Sequence, residues 1–180
     1  MQWFKSRLIF RVFFSTFLPT LLLVLAVFPI YHSSVRVSEA NQQIASSFAL
    51  IADANQLIQR VIDAETGLRG FLLAGDDSFL QPYHLSVAEV PANIRQLPRQ
   101  HQLTAEQGAL LSQLDSGFTD WLQHVAEPQI RQRRVGADVS GLIYGTEGKQ
   151  RIDAIRDLMS ALIEKEQARL KVRQELSQDA

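Results

Sequence analysis

Apolar residues recur along most of this chain at alternating spacings of three and four, the repeat of an amphipathic helix. Ile44, Phe48, Ile51, Asn55, Ile58, Ile62, Glu65, Arg69 and Leu72 form the first such row, a heptad pattern interrupted by polar members. Before it, Val12–Tyr31 is apolar and carries no charged side chain. Together these stretches predict one long helix. Gly75 ends it, and an Asp or Ser within Asp76-Asp77-Ser78 caps the next helix.

Leu80, Tyr83, Val87, Val90, Ile94 and Leu97 predict a second helix. Pro82 falls in its first turn, Pro91 inside it predicts a kink, and Pro98 predicts its end. Thr104-Ala-Glu-Gln107 fits a capping box for a third helix. Its apolar face is Leu110 or Leu111, then Leu114, Phe118, Trp121 and Val125; Pro128 predicts a bend, and Gly136 lies near its end. Ala137–Gly145 reads as a loop. A fourth helix, capped at or beside Thr146, carries Ile152, Ile155, Met159, Leu162 and Ile163, then Glu166 and Leu170. No alternating run is long enough for a sheet. The fold class is therefore all-α: an antiparallel up-down-up-down four-helix bundle over residues 33–178, with both termini at one end.

Composition narrows the classes of function. The 180 residues allow one domain plus a targeting or membrane segment. With no cysteine, there is no disulfide framework and no thiolate metal site. A net charge of −1, with no basic stripe, gives no case for a nucleic-acid partner. Val12–Tyr31, about 20 residues, is long enough to cross the roughly 30 Å hydrocarbon core. Lys5, Arg7 and Arg11 precede it and no acidic residue occurs before Glu39, so residues 1–11 are expected in the cytoplasm and 32–180 outside. A cleaved signal peptide fits less well: the apolar run exceeds the usual h-region, and Pro29-Ile30-Tyr31 is not a small-x-small site. A buried soluble helix rarely runs this far without a polar face. No second apolar run occurs before Ala180. The expectation is a chain truncated ahead of a second span, the alternative being a protein that ends outside.

The candidate chemistry is concentrated in Asp63–Gly75. Gly67 and Gly70 sit inside a helical pattern, where each costs roughly 0.5–1 kcal/mol relative to alanine. In a bundle, Glu65 falls level with Arg156 and Arg69 with Asp153, with complementary signs, and Tyr83 and Arg131 fall in the same layer. The layer has two readings. It is a structural register lock whose glycines let a neighbouring helix approach, or it is a ligand site between helices. Elsewhere the signal is weak. His32, His84, His101 and His124 lack metal spacing and read as solvated or interfacial. Lys165, Arg169, Lys171 and Arg173 read as a solvated face or a membrane-proximal basic flank. No catalytic constellation, metal site or cofactor is expected.

Glu65-Thr-Gly-Leu-Arg-Gly-Phe-Leu-Leu-Ala-Gly-Asp76, followed by Phe79-Leu-Gln-Pro-Tyr83, resembles the signature of class-three CHASE domains. Gly148-Lys-Gln-Arg-Ile-Asp153-Ala-Ile-Arg156, with Glu166 beyond it, is similar to that family's last helix. The resemblance covers about residues 35–175. It implies a periplasmic, all-helical sensor in the bacterial inner membrane, feeding a histidine kinase, diguanylate cyclase or chemoreceptor output. The expected partners are the membrane, a second copy of the chain and an undefined small-molecule or protein ligand. The alternative is a membrane-anchored adaptor that binds a protein partner.

Overall fold

A computed structural model describes residues 2–139, 141 and 146–178; side chains are described at 41–139, 141, 146–175 and scattered positions between 17 and 38. Among the described residues the fold is carried by α1 Gln2–Ala74, α2 Gln81–Gln100, α3 Ala105–Trp121, α4 Glu127–Arg134 and α5 Thr146–Gln178. A 3-10 turn, Asp77–Leu80, leads into α2, and a π turn, Leu122–Ala126, joins α3 to α4. Among the described residues there is no strand.

The helices alternate in direction. Ser47 of α1 meets Glu166 of α5, and Glu65 meets Arg156. Asp53 of α1 meets His101 after α2, and Gly67 meets Tyr83 at its start. Gln107 of α3 meets Glu166, while Gly117 faces Ile155. α1 thus lies between α2 and α5, and α3 completes the bundle against α5. We call the end holding Gly75 the closed end. The open end holds the α2–α3 turn, and from it α1 and α5 lead away.

The core is apolar and aromatic. Phe118 stacks on Trp121 at 5.8 Å between ring centroids, and Tyr83 meets Trp121 edge-on at 6.3 Å. All three are fully buried, each withdrawing on the order of 150–250 Å² from water. The rows expected on α2, α3 and α5 face this core. Leu111 rather than Leu110 is the buried member at the start of α3.

The row expected on α1 is rotated. The buried row is Ser47, Leu50, Ala54, Leu57, Val61, Ala64, Leu68 and Phe71, one residue earlier than the expected set, of which Leu72 is also buried. Phe48 is 53% exposed, Asn55 and Arg69 are exposed, and Ile51, Ile58 and Ile62 are only half-buried. The expected row carries Asn55, Glu65 and Arg69, whereas the buried row is apolar at every position but Ser47, so hydrophobicity itself favours the buried row. Close helix packing favours the same row, because the small side chains of Ala54, Ala64 and Ser47 let α2 and α5 approach.

Local chemistry sets the boundaries. Gly75 adopts φ +71°, and its N–H donates to the Phe71 carbonyl at 2.7 Å, closing α1. Asp76 caps the 3-10 turn by accepting from the Ser78 N–H at 2.8 Å. Thr104 and Gln107 form the reciprocal capping box. Gly136 (φ +74°) ends α4 in a Schellman motif: Ala137 N–H donates to Gln132 O and Gly136 N–H to Arg133 O, both at 3.1 Å.

Two proline expectations need correction. α2 runs through Pro98 to Gln100, because Leu97 is buried and its carbonyl accepts the His101 N–H at 2.9 Å. The expected distortion at Pro128 appears one turn earlier, as the π turn. Proline lacks an N–H and crowds the carbonyl four residues before it, here that of His124, and the widened turn relieves that clash.

Among the described residues no helix is long and apolar enough to cross a membrane. The span expected at 12–31 belongs to the α1 backbone, but most of its side chains lie outside the described residues. Much of the 137–145 loop, and the residue preceding Thr146, lie outside them as well.

Candidate functional site

Two polar clusters interrupt the core, one towards each end. At the closed end, Gly67 and Gly70 bring α1 against the 3-10 turn and the start of α2. A Cβ on Gly67 would sit 2.8 Å from the Phe79 carbonyl oxygen, and one on Gly70 would meet the Phe79 ring at 2.6 Å. Beside this approach, Arg156 Nη2 donates to Glu65 Oε2 at 2.8 Å. Arg156 Nη1 reaches Asp153 at 3.4 Å, and Lys149 holds the other oxygen of Asp153. The Lys149 contact, foremost, keeps the Asp153 carboxyl below its ordinary pKa.

Arg69 and Asp153 do not pair. Arg69 follows the buried Leu68 and turns outward, 60% exposed, with Glu65 at 3.7 Å. Tyr83 is buried and donates its hydroxyl to Glu127 Oε1 at 2.7 Å; burial first, then that bond and the charge behind it, raise the phenol pKa. Arg131 is exposed on α4 and does not join the group. Glu65, Arg69, Asp153 and Arg156 therefore form one linked set, Tyr83 belongs to a separate bond, and Arg131 stands apart.

The more deeply buried cluster is at the open end. Glu166, 2% exposed, lies on the core row of α5. Ser47 donates to its Oε1 at 2.6 Å and Gln107 to its Oε2 at 2.8 Å. Arg169 bonds Oε2 at 2.9 Å, and Arg173 approaches Oε1 at 3.4 Å while also donating to Ser47 and to the Gln43 carbonyl. Burial alone would raise the Glu166 pKa. The bonds from Ser47 and Gln107 and the charges of Arg169 and Arg173 outweigh it, leaving the carboxyl below its ordinary range. One carboxylate thus joins α1, α3 and α5.

Beside it, His101 Nε2 lies 2.7 Å from Asp53 on α1, with the imidazole 7% exposed. A cavity of about 320 Å³ opens between the α2–α3 turn, α1 and α5, with Glu166 and Arg173 in its wall. Arg169 and Arg173 do not form a purely solvated face, and His101 is not the solvated residue that one reading of the sequence suggested. The signal was present: Glu166 is a lone carboxylate on an apolar row, with arginines three and seven positions further along the same face. Ser47 and Gln107 gave no comparable signal, since small or capping polar residues are common on helices.

Among the described residues no group of three or more His, Asp or Glu could hold a metal ion. The family model of the CHASE3 domain matches residues 40–176, which takes in both clusters. These are extracellular sensory domains without catalytic activity. No curated protein and no solved structure matches the chain.

Proposed function

Because the chain belongs to the CHASE3 domain family of extracellular sensory domains, we propose that it is the membrane-anchored periplasmic input region of a bacterial transmembrane signalling protein. Its output is a histidine kinase, a diguanylate cyclase or a chemoreceptor module. A stimulus alters packing among the bundle helices, and α1 and α5 relay a small shift or rotation towards the membrane through bistable packing. The observation that carries this reading is the Glu166 clasp, which ties α1 to α5 where both lead out of the bundle. The apolar stretch 12–31 supplies the anchor; its described side chains at Phe17, Leu21, Leu22, Leu23 and Leu25 stand exposed, as lipid-facing residues would. The domain works as a homodimer through α1, whose exposed Phe48 and half-buried Ile51 and Ile58 form an apolar flank beside its core row.

The topology is tested by fusing reporters after Ala180. Alkaline phosphatase, active only after export, is expected to be active, and a cytoplasm-dependent fluorescent reporter is expected to be dark. The opposite pattern would refute the export of residues 32–180.

A further inference from the structure

We propose that the open-end cavity binds a small carboxylate that also bears a hydroxyl, amino or amide group. The carboxylate is assigned by Arg173. Among the described residues, all of its hydrogen bonds within the chain leave from Nη1, to Gln43 O, Ser47 and Glu166. The Nε–H and Nη2–H edge remains, and that edge of a guanidinium takes a carboxylate through two parallel hydrogen bonds. The charge at this wall agrees, because two guanidiniums, Arg169 and Arg173, face the carboxylate of Glu166, while the carboxylate of Asp53 is engaged by His101.

The rest of the wall calls for a polar body. Gln42, Gln100 and Gln102 line the cavity, and their amides make no hydrogen bond within the described chain. Each offers both donors and an acceptor. Among the described residues, Leu50 is the one apolar side chain in the wall, joined by the aliphatic stems of the polar residues. The volume of about 320 Å³ is at the small end of ligand sites, which run to about 1,000 Å³, and holds a small molecule of about a dozen heavy atoms or fewer. His101 adds a further point. With Nε2 engaged by Asp53, its Nδ1 is sheltered from water and has no partner. A slight pivot of the ring towards the cavity would let a ligand hydroxyl or ammonium donate to it.

This site deepens the sensory reading, but the binding depends neither on export of the domain nor on relay through α1. Binding would nonetheless act on that relay. The guanidinium that takes the ligand also holds Ser47 and the Gln43 carbonyl of α1.

The test is calorimetric titration of the full 180-residue chain in detergent with glycolate, L-lactate, glycine and L-serine, and with lactamide as the carboxylate-free control. Saturable binding of at least one carboxylate is expected, with lactamide at least tenfold weaker. Replacing both Gln42→Ala and Gln102→Ala should weaken binding at least fivefold without changing the melting temperature. Arg173→Lys keeps the charge but loses the two-pronged edge, and should weaken it at least tenfold. The glutamine variant decides the matter should Arg173→Lys fail to fold. The proposal is overturned if none of the four carboxylates binds, if lactamide binds equally well, or if the double glutamine variant keeps native affinity.

Discussion

Gly67 and Gly70 look equivalent in the sequence, but their surroundings separate them. A Cβ on Gly67 meets backbone, the Phe79 carbonyl at 2.8 Å and the Tyr83 nitrogen at 3.2 Å, so α2 would have to move. A Cβ on Gly70 meets mainly the Phe79 ring, which is half exposed and can swing away. Gly67→Ala should therefore cost about 2 kcal/mol, overpacking outweighing the gain in helix propensity. Gly70→Ala should stay within about 0.5 kcal/mol of the native chain, because the same gain offsets a small adjustment. Urea denaturation of the two variants measures the contrast, and equal midpoints would contradict it. Glu166 supports a pH prediction. Its folded-state pKa is depressed, so its contribution is complete above the unfolded value of about 4.3 and is lost as pH falls through the lower folded value. Glu166→Gln should cost about 2 kcal/mol near neutral pH, by leaving two guanidiniums without their carboxylate. Below about pH 4.3 that difference should narrow, the native chain losing stability faster than the variant. A difference that stayed constant on acidification would show that the carboxylate charge is not what holds the clasp.

At the scale of elements, Gln107 performs two tasks. Its side-chain oxygen accepts the Thr104 N–H at 2.9 Å to cap α3, and its amide nitrogen donates to Glu166 at 2.8 Å. The start of α3 is thereby fastened to α5. Thr104→Ala removes only the cap and should cost about 1 kcal/mol. Gln107→Ala removes the cap partner and a buried bond to a charged group, and should cost about 3 kcal/mol. Thermal unfolding of the two variants ranks them, and a Thr104→Ala loss equal to the Gln107→Ala loss would mean that the bond to Glu166 contributes nothing. α4 illustrates a different element-scale rule. Without the π turn at Leu122–Ala126, the clash at Pro128 would break the helix, yet α4 still buries Ile130. The sequence announced the disturbance at Pro128, whereas its position one turn upstream depends on the helix continuing to pack.

For the whole molecule, α1 carries two rows with different partners. The inner row, from Ser47 to Phe71, packs against α2 and α5. The outer row, with Phe48 exposed, is the surface assigned to the second copy. Light scattering on the detergent-solubilised chain should give a protein mass about twice the 20.3 kDa monomer. Phe48→Asp places a charge in that row without disturbing the inner one, and should return the mass to one chain. A monomeric native protein would refute the dimer, and a dimer unaffected by the substitution would remove the interface from α1.

The sequence alone determined the helical class, the number and order of the long helices, the caps at Gly75 and Thr104, and the family through the Asp63–Gly75 motif. All of these rest on local chemistry: side-chain period, φ > 0 at glycine, and a capping box closed within four residues. The tertiary structure shows which row of α1 faces inward: the row that is apolar but for Ser47, because turning Asn55, Glu65 and Arg69 into the core would bury poorly paired polar groups. It decided that Arg69 turns outward while Arg156 serves both Glu65 and Asp153. It also moved the deepest polar cluster to the other end of the bundle. Ser47, Gln107 and Glu166 are far apart in the chain, and only Glu166, a lone carboxylate on an apolar row, stands out locally. Their joint role exists only once three helices enclose one carboxylate, and no local pattern encodes that enclosure.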